Sequence, residues 1–491
     1  MPFFLMPIAD NTSWCHGLKI CVLQPDYSTT GVDYKNYDPS RDISALLPGA
    51  QTDHVLLNKL TTYRQLRDLK EKGYDIYVNL CEGYLEWEVP SIDVIHCLDI
   101  LQLPYTGPTA LLYDPEKPLM KYVAYTEGIA TPAHTVIQRE DDLQEAMQMA
   151  FPLFVKPAKA GDSLGIDQDA VVYTAESLRA KIKALLPLYK TLLVEQYIAG
   201  REFTVLVAGA ADGRGVKTYQ PIEYLFPEGF AFKTYALKTS ELHPDANVPV
   251  TDAALDAALR DAATRIFRGF QGQGYARLDF RMDEKGTLYF LEINFTCSVF
   301  YPEGYEGSAD HILRFDPAGQ AGFLEQIIRE GISRHLRMQQ KYYVKGNAIA
   351  GYGIYAKKSI MHKEVIFMGE QRSQRLVTRR QVMENWTDVE KEIFRKYAYP
   401  LSDEVFLLWD SDPAAWAPQN HSCQPNTAYD GLNVIALRPI QPDEELTLDY
   451  AAFLDEHMEP FPCQCGAPQC RQWITGLPGN SVTKRENLLR R

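Results

Sequence analysis

Residues 275–294 read YARLDFRMDEKGTLYFLEIN. Two apolar runs, 275–282 and 287–294, flank the turn residues DEKG, which predicts an antiparallel hairpin. Side chains alternate across a strand, so Glu292 and Asn294, two apart, share one face, and Asp279 on the neighbouring strand joins them. Charges inside a run as apolar as YFLEINF are costly unless they are paired or hold a metal. Three such oxygen donors suit Mg²⁺ bridging the phosphates of ATP; a structural ion pair is the plainer alternative.

Outward from the hairpin, the pattern alternates. Strands are expected at 18–23 and 75–80, with a helical pattern between them at about 53–72, as in a small parallel sheet. A loop at 104–110 precedes a helix at 117–129. Strands at 151–157, 192–197 and 202–209 enclose a helix at 176–187. The stretch 252–270 is a strong amphipathic helix opened by Thr251 or Asp252, and a connecting helix spans 319–340. After the strand FPLFVKP, the segment KPAKAGDSLG (156–165) offers Lys156 and a loop with Gly161, Ser163 and Gly165. Such a loop can wrap phosphates with its N–H groups, although a surface loop with two glycines is equally ordinary.

The order PYTG, DPEKPLMK, GIATP, FVKP, glycine loop, VEQY, GREFTV, TYALK, ARLDF, LEIN resembles the ATP-grasp superfamily. Within it, the D-alanine–D-alanine ligase branch is the nearest likeness, over about residues 18–335. The resemblance implies that Lys117 and Lys156 contact ATP and that Glu195, Gln196, Tyr197 and Ile198 form the hinge that reads adenine. Glu202 would bind ribose and Lys238 the phosphates, beside the loop residues Gly161 and Ser163. Asp279, Glu292 and Asn294 would ligate Mg²⁺, and Arg277 would stabilise an acyl phosphate and its tetrahedral successor. That chemistry is mainly positioning and charge neutralisation. Where the D-alanine ligases carry Thr-Ser-Pro-Gly after the asparagine, this chain has Phe295-Thr296-Cys297-Ser298-Val299, and the family's acidic amine-binding signature is missing from QPDYSTTGVDYKN. Carboxylate–amine ligation is expected, but not of two D-alanines.

Beyond Lys341, short strands, glycines and turns predict a compact, mostly β unit. Cys463, Cys465 and Cys470 form C-x-C-x4-C, and Cys423 in NHSCQPN (420–426) is the natural fourth thiolate of a structural Zn²⁺ site. GYG (351–353), Gly369-Glu370, NHSCQPN, EELTLDY (444–450) and CQCGAPQC, in that order, resemble a SET domain with its post-SET zinc cap. The resemblance implies lysine N-methylation from S-adenosylmethionine. Gly351, Tyr352, Gly353, Asn420, His421 and Trp473 would contact that cofactor, with Tyr450 as both contact and active-site tyrosine. Phe367 and Leu448 stand where many SET enzymes carry other channel-wall aromatics. His362 and His457 are expected at the surface, and RLVTRR (375–380) as a solvated helix face.

The chain has 491 residues, 46% hydrophobic and 23% charged, with a formal net charge of −14. The length exceeds one ordinary core, and the negative field disfavours nucleic acid and acidic membrane surfaces. No apolar run reaches membrane-span length. The opening MPFFLMPIADNTSWCHG lacks a basic n-region, and nine cysteines with four clustered late do not form a secreted disulfide framework. A cytoplasmic protein is expected. The fold class is a multidomain α/β plus mostly-β chain: an ATP-grasp fold with an N-terminal Rossmann-like subdomain and two α+β clamp subdomains, then a SET β-fold with a post-SET zinc cap. The boundaries are an extension (1–17), a pre-ATP-grasp subdomain (18–110), the ATP-grasp domain (111–335), a linker (336–341), the SET domain (342–458), the post-SET segment (459–476) and a tail (477–491). Partners would be an amino acid or peptide and a lysine-containing methyl acceptor, with a homodimer left open. The rival readings are a methyltransferase whose ATP-grasp part senses nucleotide or docks substrate, and a non-catalytic scaffold.

Overall fold

The computed structural model describes residues 14–28, 38–82, 88–158, 166–226, 246–367, 374–409, 419–456 and 459–477. Gly161, Ser163, Lys238, Gly369, Glu370 and His457 lie outside the described residues. Two compact units divide between His335 and Leu336.

In the first unit, β1 (Lys19–Pro25), β2 (Gln51–Leu57) and β3 (Ile76–Asn79) form a parallel sheet ordered β2-β1-β3, with α1 (Thr62–Lys70) and α2 (Ile92–Leu101). The helix expected over 53–72 is therefore strand up to Leu57 and helix only over Thr62–Lys70. Residues 51–57 pair with β1 from Lys19↔Gln51 to Pro25↔Leu57, and this tertiary pairing overrides local helical pattern. The helix starts only after Asn58, whose carbonyl accepts the Thr62 hydroxyl at 3.0 Å.

Next come α3 (Lys117–Thr126), β4 (His134–Ile137), α4 (Leu143–Met147), β5 (Leu153–Pro157), β6 (Val171–Val172), α5 (Ala175–Tyr189) and β7 (Leu192–Gln196). The strands form an antiparallel sheet ordered β4-β7-β5-β6. A third sheet, ordered β11-β10-β8-β12-β13 with β9 beside β8, is built from β8 (Arg201–Gly209), β9 (Val216–Thr218), β10 (Ile222–Tyr224), β11 (Asn247–Pro249), β12 (Tyr275–Met282) and β13 (Leu288–Asn294). The helix α6 (Ala253–Gly269) packs on it, capped by Asp252, whose carboxylate accepts the N–H groups of Ala254 and Leu255. The strand β12 begins at a close backbone approach. Gly274 has φ +71°, and a Cβ there would stand 2.2 Å from the Gly107 carbonyl oxygen. The helices α7 (Ser308–Phe315) and α8 (Gly319–Gln339) follow, and Phe323, Leu324, Ile327 and Ile328 of α8 share a core with Ile20, Val22, Ile76 and Val78.

The second unit is a set of small sheets. β14 (Tyr342–Asn347) pairs with β15 (Gly351–Ala356). β16 (Val365–Phe367), β17 (Gln374–Thr378), α9 (Arg379–Asn385), α10 (Asp388–Tyr397), β18 (Tyr399–Pro400) and β19 (Val405–Trp409) come next. RLVTRR is thus strand up to Thr378 and helix only from Arg379, because Thr378 caps α9 by accepting the Gln381 N–H and 374–378 pair with β19. The helix α10 was not expected in a mostly-β unit. β20 (Asn420–His421), β21 (Thr427–Asp430), β22 (Asn433–Ala436), β23 (Thr447–Leu448), β24 (Phe461–Pro462) and β25 (Trp473–Ile474) complete the unit. The parallel pair β20–β23 sets Asn420 opposite Thr447 and His421 opposite Leu448. No helix among the described residues is long and apolar enough to cross a membrane.

Candidate active sites

In the first unit, β5 and β7 run antiparallel with Phe154 opposite Glu195 and Lys156 opposite Leu193. This brings Lys156 and Glu195 together as a buried ion pair. Lys121, one turn beyond Lys117 on α3, reaches the other oxygen of Glu195 at 2.9 Å and donates to the Leu291 carbonyl at 3.0 Å. Burial works against the Glu195 carboxylate, but the two ammonium groups win and hold it at about 2. Burial, with Lys156 nearby, brings Lys121 down to about 8.

One pocket is lined by Lys156, Glu195, Gln196, Tyr197 and Ile198 from the β5–β7 sheet and the segment after it, and by Glu202, Arg277, Asp279 and Glu292 from the β8–β12–β13 sheet. Tyr197 stacks near Phe154, with ring centroids 6.4 Å apart. The Arg281 guanidinium lies 5.0 Å over Tyr197 and 3.9 Å from Glu202. Hairpin register sets Arg277 opposite Asn294 and Asp279 opposite Glu292. Arg277 is 3.1 Å from Asp279, which also accepts the Thr204 hydroxyl at 2.6 Å. Lys117 lies 3.5 Å from Glu292, and the Asn294 amide reaches Glu292 at 3.5 Å. The carboxylates of Asp279 and Glu292 and the amide oxygen of Asn294 are the hard donor set that Mg²⁺ requires. Lys121 was missed from sequence. The signal was its i, i+4 spacing from Lys117, which puts both on one helix face.

A second buried cluster lies at the carboxyl ends of β1 and β3, where open parallel sheets bind ligands. Arg41 is 2.9 Å from Glu82 and donates to the carbonyls of Leu80 and Val299, while Ser298 donates to Glu82 at 2.6 Å. Burial pushes Glu82 up to about 7 despite Arg41.

In the second unit, the four Sγ atoms of Cys423, Cys463, Cys465 and Cys470 lie within 4.8 Å of one another, with Cys423 and Cys463 at 3.8 Å. A tetrahedron with Zn–S bonds of about 2.3 Å has S···S edges of about 3.8 Å, so the cluster has the dimensions of a closed Zn²⁺ site. Asn420 donates to the Tyr352 carbonyl and to Glu445, both at 2.8 Å. Asn347 also donates to Glu445, a residue the sequence reading passed over although it lies inside EELTLDY. A Cβ on Gly353 would stand 2.4 Å from a Glu445 oxygen, and Gly351 has φ +82°. Trp473 is exposed on β25, three residues after Cys470. The His421 imidazole is turned inward, its Nδ1 accepting the Tyr450 N–H at 3.1 Å. Tyr450 donates its hydroxyl to the Gln419 carbonyl. Burial, with Tyr397 and Tyr352 near, keeps its phenol well above the ordinary tyrosine range. Phe367 is buried 4.4 Å from Tyr342, centroid to centroid.

A two-strand hairpin bearing carboxylates, facing a lysine-and-hinge sheet across one pocket, defines an ATP-grasp fold. A small-sheet unit with a closing four-cysteine cluster follows it. Residues 123–303 match the family model described as D-ala D-ala ligase C-terminus, and residues 351–451 match the SET domain. The chain joins an ATP-grasp domain of the D-alanine–D-alanine ligase type to a SET domain. It is 35% identical over 203 residues to the D-alanine–D-alanine ligase of Pseudomonas putida (strain GB-1), covering 40% of this chain and 60% of that one. It is 29% identical over 278 residues to the corresponding ligase of Bordetella petrii, covering 54% and 81%. The chain thus spans about 60% of the length of the first of these relatives. A solved D-alanine–D-alanine ligase from Coxiella burnetii aligns with TM-score 0.47 and 18% identity, over 66% of this chain and 97% of that one.

Proposed function

We propose that the protein is a two-part enzyme: an ATP-dependent ligase that joins a carboxylate to an amine, and a methyltransferase that transfers a methyl group from S-adenosylmethionine to a lysine amine. The observation that supports the ligase is the single pocket holding Lys156, the hinge residues 195–198, Glu202, Arg277, Asp279 and Glu292. In this reading Lys156 and Lys117 steady the nucleotide phosphates, and Glu195 orients the lysines. Tyr197 and Ile198 bound the adenine pocket and Glu202 the ribose. Asp279, Glu292 and Asn294 would hold Mg²⁺, which supplies charge neutralisation at the transferring phosphoryl group. Arg277 neutralises the charge that develops as a carboxylate takes the phosphoryl group and an amine displaces it. The departures after Asn294 and in QPDYSTTGVDYKN point to an amino acid or peptide other than two D-alanines.

For the second part, Tyr450 orients a neutral lysine amine by hydrogen bonding. Its phenol is too weak an acid to serve as a base near neutral pH. Tyr352, Asn420, the His421 main chain and Trp473 would border the cofactor, and the four thiolates would hold Zn²⁺ as a structural ion. Four reduced thiols at this spacing fit a reducing compartment such as the cytoplasm.

The test is ADP release by purified protein with Mg-ATP, against pooled amino acids and short peptides, with Lys156→Ala as the control. Release that depends on the pool and is lost in Lys156→Ala supports a ligase, and mass spectrometry of the pool identifies its product. Binding of ATP without stimulation by any pool would replace the ligase with a nucleotide-sensing or docking role.

A further inference from the structure

We infer that His421 is a positioning residue that ties the four-thiolate cluster to the backbone of Tyr450, so that the state of the cluster governs where the tyrosine stands. The inference rests on the reading of Tyr450 as the active-site tyrosine and of the cysteines as a zinc site.

The imidazole is held in one pose. Its side chain is 4% exposed, and it packs against the rings of Tyr450 at 5.5 Å and Phe461 at 5.8 Å. Its backbone is fixed in β20 against β23. Nδ1 accepts the Tyr450 N–H at 3.1 Å. A ring nitrogen that accepts carries no proton, so the single proton of the neutral ring is on Nε2. Nε2 stands 3.4 Å from Sγ of Cys423, and the bond therefore runs from N–H to sulfur. The Leu448 main chain also lies against the ring. The other tautomer would aim Nδ1–H toward the Asp449 carboxylate, 3.7 Å away. It would also set two N–H groups against each other at 3.1 Å and turn the Nε2 lone pair toward a thiolate. The near oxygen of Asp449 is already occupied by the Ala451 N–H and the Arg471 guanidinium.

Cys423 collects further donors. The Arg471 N–H and Nε–H reach its sulfur at 3.3 and 3.5 Å. The far end of the Arg471 guanidinium holds Asp449. Two links thus leave one sulfur and end on adjacent residues, Asp449 and Tyr450. N–H groups donated to a ligating sulfur orient it and offset the negative charge of a four-thiolate site, and outer partners of this kind cost about 10–100-fold in metal affinity when they are removed. Displacement of Cys423 when the cluster loses its metal removes one of the two hydrogen bonds that set the angle of the ring, and the Tyr450 N–H bonded to its other nitrogen shifts with it.

Two substitutions separate the two ends of the ring. In His421→Asn, Oδ1 replaces Nδ1 and keeps the Tyr450 bond, but nothing reaches Cys423. In His421→Gln, the amide nitrogen replaces Nε2 and keeps the donor to sulfur, but the Tyr450 bond is lost. Two readouts on the full-length, zinc-loaded protein follow them. One is the rate of zinc loss to a chromophoric chelator. The other is the Tyr450 amide resonance after ¹⁵N-tyrosine labelling, located with Tyr450→Phe. His421→Asn should release zinc about 10-fold faster with the Tyr450 resonance in place. His421→Gln should hold zinc like the parent with the resonance displaced. In the parent, stripping zinc should displace the resonance. ¹⁵N-imidazole spectra of the parent should show the Nε2–H tautomer for the ring missing in both variants. An Nδ1–H or doubly protonated ring, or two variants indistinguishable in both readouts, would overturn the inference. None of these outcomes requires methyl transfer, so failure to bind S-adenosylmethionine would count against the methyltransferase reading alone.

Discussion

Glu195→Gln leaves two buried ammonium groups facing each other across a neutral amide. In the parent, Glu195 bridges Lys121 and Lys156, and all three side chains are at most 6% exposed. The carboxyl is held at about 2 against an ordinary 4.5, and at 1.36 kcal/mol per unit this corresponds to about 3 kcal/mol. Removing one partner of a buried ion pair costs about 3–5 kcal/mol by an independent route, so a loss of about 3–5 kcal/mol is expected at pH 7. The pH course adds a stricter test. A carboxyl with a depressed folded pKa stabilises fully above 4.5, and that contribution fades as pH falls toward 2. The gap between parent and variant should therefore be flat from pH 5 to 7 and narrow below 4.5. Lys121, at about 8 in the parent, falls further once its counter-ion is gone. A lysine with a lowered folded pKa costs stability while protonated and restores it as pH rises, so the variant should begin to recover below pH 8, where the parent is still level. Urea unfolding monitored by fluorescence at half-unit pH steps measures both arms. A loss under about 1 kcal/mol, or a gap independent of pH, would refute the reasoning.

Gly274→Ala should destabilise the first unit by at least about 2 kcal/mol, since it combines a left-handed backbone angle with a clash against the Gly107 carbonyl; thermal unfolding checks it. Cys463→Ser should lower bound zinc from one equivalent toward none by elemental analysis, while ATP binding to the first unit stays unchanged. Thr204→Val removes the 2.6 Å hydroxyl donor to Asp279 and should weaken Mg²⁺ dependence of ADP release by about 10-fold, read from a metal titration. Because burial raises the Tyr450 phenol, methyl transfer should show no loss attributable to its ionisation up to pH 10, whereas an ordinary tyrosine would be half ionised there; a rate profile in Tyr450→Phe separates the two cases.

Elements whose local signals agreed were legible from sequence. The hairpin over 275–294 has its strands at 275–282 and 288–294, because alternation and turn chemistry coincide. The helix α6 starts at its Asp252 cap. The segment 51–57 failed because its strand character comes from pairing with β1, a contact no local window contains. RLVTRR failed for the same reason, since pairing with β19 claims its first residues. The helix α10 was missed although Thr387 and Glu390 form a capping box ahead of 388–397. A prior for β structure hid a helix start that was written in the residues.

The charge of the nucleotide site shows why its electrostatics were not legible. The whole chain carries −14, which opposes any polyanion. Yet among the described residues the ion pairs of Lys117, Lys121, Lys156 and Arg277 at this site join them to Glu195, Glu292 and Asp279, while Arg281 pairs with Glu202. Among these described residues, four cations against three carboxylates leave an excess of one positive charge, buried where screening by salt is weak. These residues are spread from 117 to 292 over α3, β5, β7, β12 and β13, so no segment of the sequence shows a basic run. Only the fold sums them. Lys121 supplies the excess, and its removal should lower nucleotide affinity without touching the nucleotide. Lys121→Met, which keeps the length and the apolar stem, leaves Glu195 with Lys156 alone and brings the site to zero. If the local sum governs binding, calorimetry should show ATP affinity falling by about 10-fold or more at low ionic strength. AMP, with less charge, should lose less. An equal loss for both nucleotides would mean that Lys121 acts by packing, and the charge argument would fail.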